Sequence, residues 1–213
     1  MAGIQDLLNS QIGKELIGGT STQLNINPQI AATALSAAMP MILGAMKNNA
    51  AKPEGAAGLL KAFGSEKHSS GGLLDQLSTV LGGNGIDQNV LTEGSKILGH
   101  LFGNQQNNAA EVVGKSSGLD MDTAASLLKI AAPLVMGYMG RNALQKSASN
   151  EQDVMGLLND FLGDDNKEEL LKSVGKIQDF DNNDDTTDDI AKVFSGLGGN
   201  SGILGGILGN LFK

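Results

Sequence analysis

Residues Asp122 to Ala143, DTAASLLKIAAPLVMGYMGRNA, repeat a pattern that occurs earlier as Ile30 to Ala50, IAATALSAAMPMILGAMKNNA. When Pro133 is placed on Pro40, nine of twenty aligned positions are identical. The identical pairs are Ala31/Ala124, Ala32/Ala125, Leu35/Leu128, Ala38/Ala131, Pro40/Pro133, Gly44/Gly137, Met46/Met139, Asn49/Asn142 and Ala50/Ala143. This agreement predicts an internal duplication centred on an Ala-rich helix with proline at mid-length, where the missing N–H should kink or split the helix.

The repeat continues beyond these two segments. Gly58-Leu59-Leu60 with Phe63 corresponds to Gly156-Leu157-Leu158 with Phe161, and Ile97 to Gly103 corresponds to Ile190 to Gly196. The pattern predicts an all-α, multihelical bundle built from two duplicated, pseudo-symmetric helical halves with Pro-kinked Ala-rich core helices. We divide the chain into 1–103, an N-terminal helix plus first repeat, 104–199, the second repeat, and 200–213, a Gly-rich apolar tail.

Composition restricts the function classes. The chain has 213 residues and a net charge of −8, which argues against nucleic-acid binding because no basic stripe is present to neutralise phosphates. There is no cysteine, so disulfides and thiol-ligated metals are excluded. The N-terminal residues lack the positive region and apolar run of a signal peptide. A span at Ile30 to Met46 would reach only the lower length limit of about 17 residues, and its twin contains Lys129, so we expect core helices and a cytoplasmic protein with no membrane partner.

Local signals predict where the helices begin and end. An apolar stripe from Ile4 to Ile17 indicates a helix that ends near Gly18-Gly19. Asn27 followed by Pro28 predicts the start of the first core helix, and Asp120 or Asp122 predicts the start of the second. The polar run 104–108 is typical of a surface link before a helix at 109–114. We expect essentially no sheet, because no stretch alternates apolar and polar residues with β-branched enrichment.

The residues from Gly114 to Met139 resemble a known family. Gly118-Leu119 is followed by Leu127-Leu128 and by Ala-Pro-Leu-Val-x-Gly at 132–137, and the chain also contains Ile-Leu-Gly-His-Leu-Phe-Gly at 97–103 and a Gly-Leu-rich C-terminus. In these motifs the chain resembles the YidB-like bacterial domains of unknown function, over about two thirds of its length. The resemblance implies a compact, all-helical bacterial protein and supplies no activity, substrate or catalytic residue.

The motif search for catalysis is negative. No phosphate loop, nucleophile elbow or dinucleotide fingerprint is present, and the chain offers no credible nucleophile and base pair. His68 and His100 are the two histidines, and neither has a second histidine at ligand spacing. Tyr138, the single tyrosine, is interpreted as a core or interface residue. We therefore expect a protein without enzymatic activity and with no evident small-molecule substrate or catalytic residue.

An acidic stretch, QDFDNNDDTTDDI, occupies residues 178–190. Asp179, Asp181, Asn183 and Asp185 fall at positions 1, 3, 5 and 7 of a calcium loop, a spacing that directs oxygen ligands to one hard cation. Position 6 is Asp184 in place of the usual glycine, and position 12 is Ile190 in place of glutamate. These departures favour a solvated acidic loop that caps the following helix, with Ca²⁺ binding as the alternative and no other cofactor implied.

The C-terminal tail carries paired large apolar residues every four positions. They are Ile203, Leu204, Ile207, Leu208, Leu211 and Phe212. Glycines lie between the pairs, so an isolated helix would be unstable, since each interior glycine costs about 1 kcal/mol relative to alanine. The tail is therefore expected to dock on its own core, on a partner or second subunit, or on a membrane surface.

Two function classes remain from these observations. The first is a helical interaction or assembly protein that self-associates, or binds a protein partner, through the apolar tail. The second is a calcium-responsive module in which ordering of the acidic loop 179–189 changes the exposure of the tail.

Overall fold

The structure, a computed structural model, describes residues 4–65 and 88–162. These residues form the helices α1 (Ile4–Asn9), α2 (Gln11–Leu24), α3 (Pro28–Ala50), α4 (Pro53–Phe63), α5 (Gln88–Phe102), α6 (Gln106–Ser117), α7 (Met121–Gln145) and α8 (Glu151–Leu162), with a 3₁₀ turn at Gly103–Gln105. No strand occurs in the described ranges. The predicted all-α class is confirmed.

The two helices that contain the repeated pattern, α3 and α7, pack against each other at the centre of the bundle. Their largest fully buried side chains are Leu35, Met39, Ile42 and Met46 on α3 and Leu127, Leu128, Ile130 and Met139 on α7. Helix α6 packs against both, α4 and α8 lie across both, and α5 runs along α7. Alanines at the crossing let the two backbones approach closely, so aliphatic side chains and methionines fill the core without large aromatic rings.

Pro40 and Pro133 lie inside α3 and α7, and each helix continues on both sides of its proline. The alternative of a split helix is therefore wrong, while a bend at each proline remains a prediction. Burial explains the continuity, because Pro40 and Pro133 sit in the packed centre where neighbouring helices hold the backbone in place.

Helix α5 approaches α7 closely at the Lys129 carbonyl, which Pro133 leaves without its helical donor. A Cβ built on Gly94 would lie 1.8 Å from the Lys129 carbonyl oxygen. Only glycine therefore fits at this crossing, and its Cα–H faces an oxygen that the proline cannot bond.

The N-terminal apolar stripe forms two helices where one was predicted. Ser10 interrupts the stripe: its hydroxyl donates to the Leu7 carbonyl (2.6 Å) and accepts from the Gly13 N–H (3.2 Å), which caps α2. The predicted end at Gly18-Gly19 is also wrong, since α2 continues to Leu24. Glycine is tolerated inside this helix, and the helix ends instead at Asn25, which adopts a left-handed conformation with φ of 52°.

The polar run 104–108 was predicted as a surface link and instead forms the 3₁₀ turn and the first turn of α6. The following helix reaches from Gln106 to Ser117, beyond the predicted 109–114. The polar residues cover the outer face, while Ala109, Ala110, Val112 and Val113 are buried.

The turn before α3 and the turn before α7 have the same construction. Asn25 and Gly118 both take positive φ, and the next residue in each turn donates its N–H to a carbonyl five residues back, Ile26 to Ser21 and Leu119 to Gly114, both at 3.0 Å. Asn27 accepts a hydrogen bond from the Gln29 N–H (2.8 Å), and Asp120 accepts one from the Thr123 N–H (3.0 Å). Both predicted helix starts are confirmed, and of the two candidates for α7 it is Asp120 that caps the helix.

By length and composition, α3 and α7 are apolar enough to cross a membrane. In their most apolar windows, 67% of α3 and 72% of α7 is buried inside the bundle. Core helices pass the same test, so this finding is weak evidence for a membrane span.

Candidate binding cleft

An open cleft of about 570 Å³ lies between α4 and α5. This volume falls within the range of about 300–1,000 Å³ that is common for ligand sites. Its floor is apolar and consists of Leu59 from α4, Ile97 and Leu101 from α5, and Met136 from α7. The cleft therefore opens directly onto the central helices.

The α4 wall is made of small residues. Helix α4 begins with Pro53 at its first position and buries Ala56, Leu59 and Phe63 against the core. This leaves Gly55, Gly58 and Ala62 along the cleft. A Cβ added at Gly58 would meet no atom within 4 Å, so the space in front of this helix is open.

The α5 wall of the cleft carries polar and charged side chains. Glu93, Lys96 and His100 follow one another at three- and four-residue steps, which places them on one face of the helix. Glu54 and Lys61 of α4 line the cleft as well. The lining thus combines an apolar floor with charged groups of both signs.

Asn49 ties the end of α3 to the cleft. Its side-chain amide donates to the Ala45 carbonyl (2.9 Å) and to the Leu101 carbonyl at the end of α5 (3.2 Å). Asn142, its counterpart in the repeat, donates in the same way to the Tyr138 carbonyl four residues back (2.8 Å).

Two carboxyl groups in the described residues have shifted pKa values, and both lie at helix starts and not in the cleft. The Thr123 hydroxyl and backbone N–H lower the pKa of Asp120. The Ser149 N–H (2.8 Å) and the Asn150 N–H lower the pKa of Asp153 at the start of α8. Their shifts are explained by helix capping.

Most of the residues proposed from sequence lie outside the described ranges. Asp179, Asp181, Asn183 and Asp185, the six apolar residues of the tail and His68 all fall there, as does the second copy of the repeat-closing segment at 190–196. Within residues 4–65 and 88–162, no group of three or more His, Asp or Glu side chains is placed to hold a metal ion. The Ca²⁺ hypothesis therefore stays a prediction.

Tyr138 is partly buried and packs against the core as predicted. Its ring meets Phe161 of α8 edge to face, with centroids 5.3 Å apart and planes at 83°. Such a geometry is favourable for aromatic pairs. A catalytic role was not expected for Tyr138, and this packing accounts for its position.

The cleft was not predicted from the sequence. Of its titratable lining residues, His100 was a candidate for function, whereas Lys61, Lys96 and Glu93 were not. The helical spacing of Glu93, Lys96 and His100 was visible, but a polar stripe on one helix is the ordinary sign of a solvated face. The cleft becomes recognisable only when α4 is known to lie opposite this face of α5.

The match to known proteins is to a family rather than to an individual protein. No curated protein and no solved structure matches the chain. A family model described as "Bacterial protein of unknown function (DUF937)" matches residues 6–142, which is more than half of the chain. The matched region runs from α1 through most of α7 and includes α4, α5 and the cleft between them. The chain belongs to this bacterial family of unknown function, DUF937.

Proposed function

We propose that this protein is a non-enzymatic helical interaction protein that self-associates through the apolar tail Ile203–Phe212. The observation that carries the proposal is the contrast between the tail and the described surface. Among the described residues, Met121 and Leu144 are the exposed large hydrophobic side chains, at 46% and 52%. The remaining large apolar side chains in those ranges are buried or partly buried.

Six large apolar side chains in one short stretch favour burial strongly. Each gains about 1.5–3 kcal/mol when fully buried, which together exceeds the glycine penalty of about 1 kcal/mol per interior position. Soluble chains seldom leave such a patch in water unless a partner covers it. A second copy of the chain supplies a partner at equal concentration, which supports self-association over a rarer partner.

We also infer that the bundle consists of two duplicated halves. Four paired features are each separated by 93 residues, as Pro133 is from Pro40: the left-handed caps Asn25 and Gly118, the helix caps Asn27 and Asp120, the prolines, and the amides of Asn49 and Asn142. Shared backbone geometry at one constant offset supports duplication more strongly than Ala-rich composition does. The unit boundaries at 103 and 199 stay predictions, and an experimental structure of the full chain in which 16–103 does not superpose on 112–199 would contradict them.

The location we propose is the bacterial cytoplasm, in keeping with the high burial of α3 and α7 inside the bundle. Cell fractionation tests it: the protein should appear in the cytoplasmic fraction, and recovery in the membrane fraction after a high-salt wash would contradict the location.

Self-association is tested by light scattering after size-exclusion chromatography. The full chain should elute with a mass that is a multiple of 21.9 kDa, and deletion of Gly202–Lys213 should return it to a single chain with an unchanged unfolding temperature. Leu211→Ser should weaken assembly, while the matched polar change Asn210→Ser should not. A full chain that is monomeric at all concentrations contradicts the proposal.

The same measurement with Ca²⁺ and with chelator tests the alternative. A mass that changes with Ca²⁺, and no longer changes in Asp179→Asn/Asp181→Asn, would favour the calcium-responsive module. An equal mass with Ca²⁺ and with chelator would favour self-association that does not depend on Ca²⁺.

A further inference from the structure

The α4 wall of the cleft is built to accept a helix at short range. Gly58 and Ala62 present almost no side chain to the cleft, and the position in front of Gly58 is open for at least 4 Å. Gly55 also lines the cleft, but a Cβ there would meet the Asn49 carbonyl oxygen at 2.0 Å, so this glycine serves the contact between α4 and α3. Small residues on one helix let a second backbone approach closely and pack its side chains on the floor between them. Here that floor is Leu59, Ile97, Leu101 and Met136.

The tail has the complementary composition. The chain contains no charged residue from Ser195 to Phe212, a range that includes the apolar part of the tail. The apolar pairs of the tail recur every four positions, so a helix would place them on one broad face with the glycines on the opposite face. An uncharged segment suits an apolar floor, since it brings no charge that the cleft would have to desolvate.

A sequence match shows how this kind of segment packs on the fold. Ile207 to Phe212, ILGNLF, differs from Ile97 to Phe102, ILGHLF, only at Asn210 in place of His100. In α5 that hexapeptide buries Ile97, Leu98, Leu101 and Phe102, while His100 stays exposed beside the cleft. The same register would bury Ile207, Leu208, Leu211 and Phe212 and leave Asn210 at the edge.

We propose that the cleft between α4 and α5 is the receptor for the tail segment Ile203–Phe212 of a second copy of this chain. This inference rests on the proposed self-association and names its receiving surface. The 40 residues between Leu162 and Ile203 can span up to about 130 Å when extended, which is enough to reach a neighbouring subunit. Tail and cleft are different surfaces, so two copies that exchange tails reciprocally form a closed dimer, whereas a one-way contact builds rings or open chains of subunits.

Cross-linking of the full-length chain tests the pairing. The sequence contains no cysteine, so Gly58→Cys combined with Asn210→Cys supplies the two thiols for a short bismaleimide linker. The matched control is Gly156→Cys with Asn210→Cys, because Gly156 is the repeat counterpart of Gly58, is exposed on α8 and also has open space in front of its Cβ. We expect cross-linking of the first pair to be at least about tenfold faster than of the control, since docking raises the local thiol concentration to the millimolar range.

The product distinguishes this inference from the proposed function. Covalently joined chains support both. A fast cross-link within a single chain confirms the cleft as the receptor and overturns both the second-copy origin of the tail and the proposed self-association. Equal rates for the two pairs overturn the cleft proposal, while light scattering on the parent chain still decides whether it self-associates.

Two further variants examine the cleft itself. Gly58→Trp should fill the cleft and lower the association constant of tail-dependent assembly by at least about tenfold, because the tail loses its buried anchor site. Gly156→Trp should leave that constant unchanged. The apolar stretch from Leu73 to Leu81 also lies outside the described residues and is the competing occupant within the chain. Fast cross-linking of Gly58→Cys with Leu77→Cys, accompanied by no reaction of Asn210→Cys, would assign the cleft to that stretch and overturn the proposal.

Discussion

The turn between α2 and α3 and the turn between α6 and α7 share a backbone geometry but use different residues. The left-handed position is Asn25 in one and Gly118 in the other, and the helix cap is Asn27 in one and Asp120 in the other. Asparagine and glycine are the two residues that adopt positive φ most readily, and asparagine and aspartate are both strong caps. The two turns therefore share one backbone geometry and differ in side chain within what that geometry allows.

The helices before these turns, α2 and α6, differ at one buried position in a way that affects stability. Thr20 in α2 and Val113 in α6 are 93 residues apart, the same separation as the two prolines, and both are fully buried. Among the described residues, the Thr20 hydroxyl has no hydrogen-bond partner. A buried hydroxyl without a partner lowers stability, so α2 carries a cost at this position that α6 avoids.

The largest effect is expected at Gly94, where α5 lies against the backbone of α7. Gly94→Ala should lower the free energy of unfolding by about 1–3 kcal/mol, because the new methyl group collides with the Lys129 carbonyl and forces α5 away from α7. Urea unfolding followed by circular dichroism measures the change. Gly58→Ala, at an open helical position, serves as the control and should be neutral or stabilising by up to about 1 kcal/mol. An unchanged stability in Gly94→Ala would mean that α5 does not cross α7 at this point.

A reciprocal exchange tests the buried pair. Thr20→Val should raise the free energy of unfolding by about 1 kcal/mol, since it removes a buried hydroxyl and keeps the volume, and Val113→Thr should lower it by about 1–3 kcal/mol. Both are measured by urea unfolding of the full chain. Changes of the same sign in the two variants would show that the two positions are not equivalent.

The smallest effect concerns pH and the two helix caps. Thr123 lowers the pKa of Asp120 below its ordinary 3.8, so the ionised cap stabilises the folded state above that value, and this contribution is lost as pH falls through the lowered pKa. Asp120→Asn should therefore lose less stability than the parent chain between about pH 5 and pH 2. Asn27→Asp should lose more over the same window, because it introduces a titrating cap into the first half. Parallel pH profiles for the three proteins, measured by urea unfolding, would contradict this account of Asp120.

Features governed by neighbouring residues were predictable from sequence. Asn27 and Asp120 begin helices because their side-chain oxygens accept N–H groups two or three residues away, and that chemistry is local. The buried faces of α3 and α7 followed from apolar spacing and from the repeated pattern itself. The N-terminal helix was mispredicted because Ser10 and Gly18 are weak signals, and the packing of the surrounding helices decides whether such residues interrupt a helix or lie within it.

The cleft depended on contacts between residues far apart in sequence. Gly58, Lys96 and Met136 come from three helices, and their proximity follows from how α4, α5 and α7 cross. The amino-acid sequence by itself determined the helical class, the caps and the apolar faces, because these follow from backbone hydrogen bonding and side-chain periodicity. Tertiary structure alone decided that Gly94 meets the carbonyl freed by Pro133 and that α4 and α5 stand apart to form a cleft, because close packing selects among helix arrangements that the same apolar faces permit.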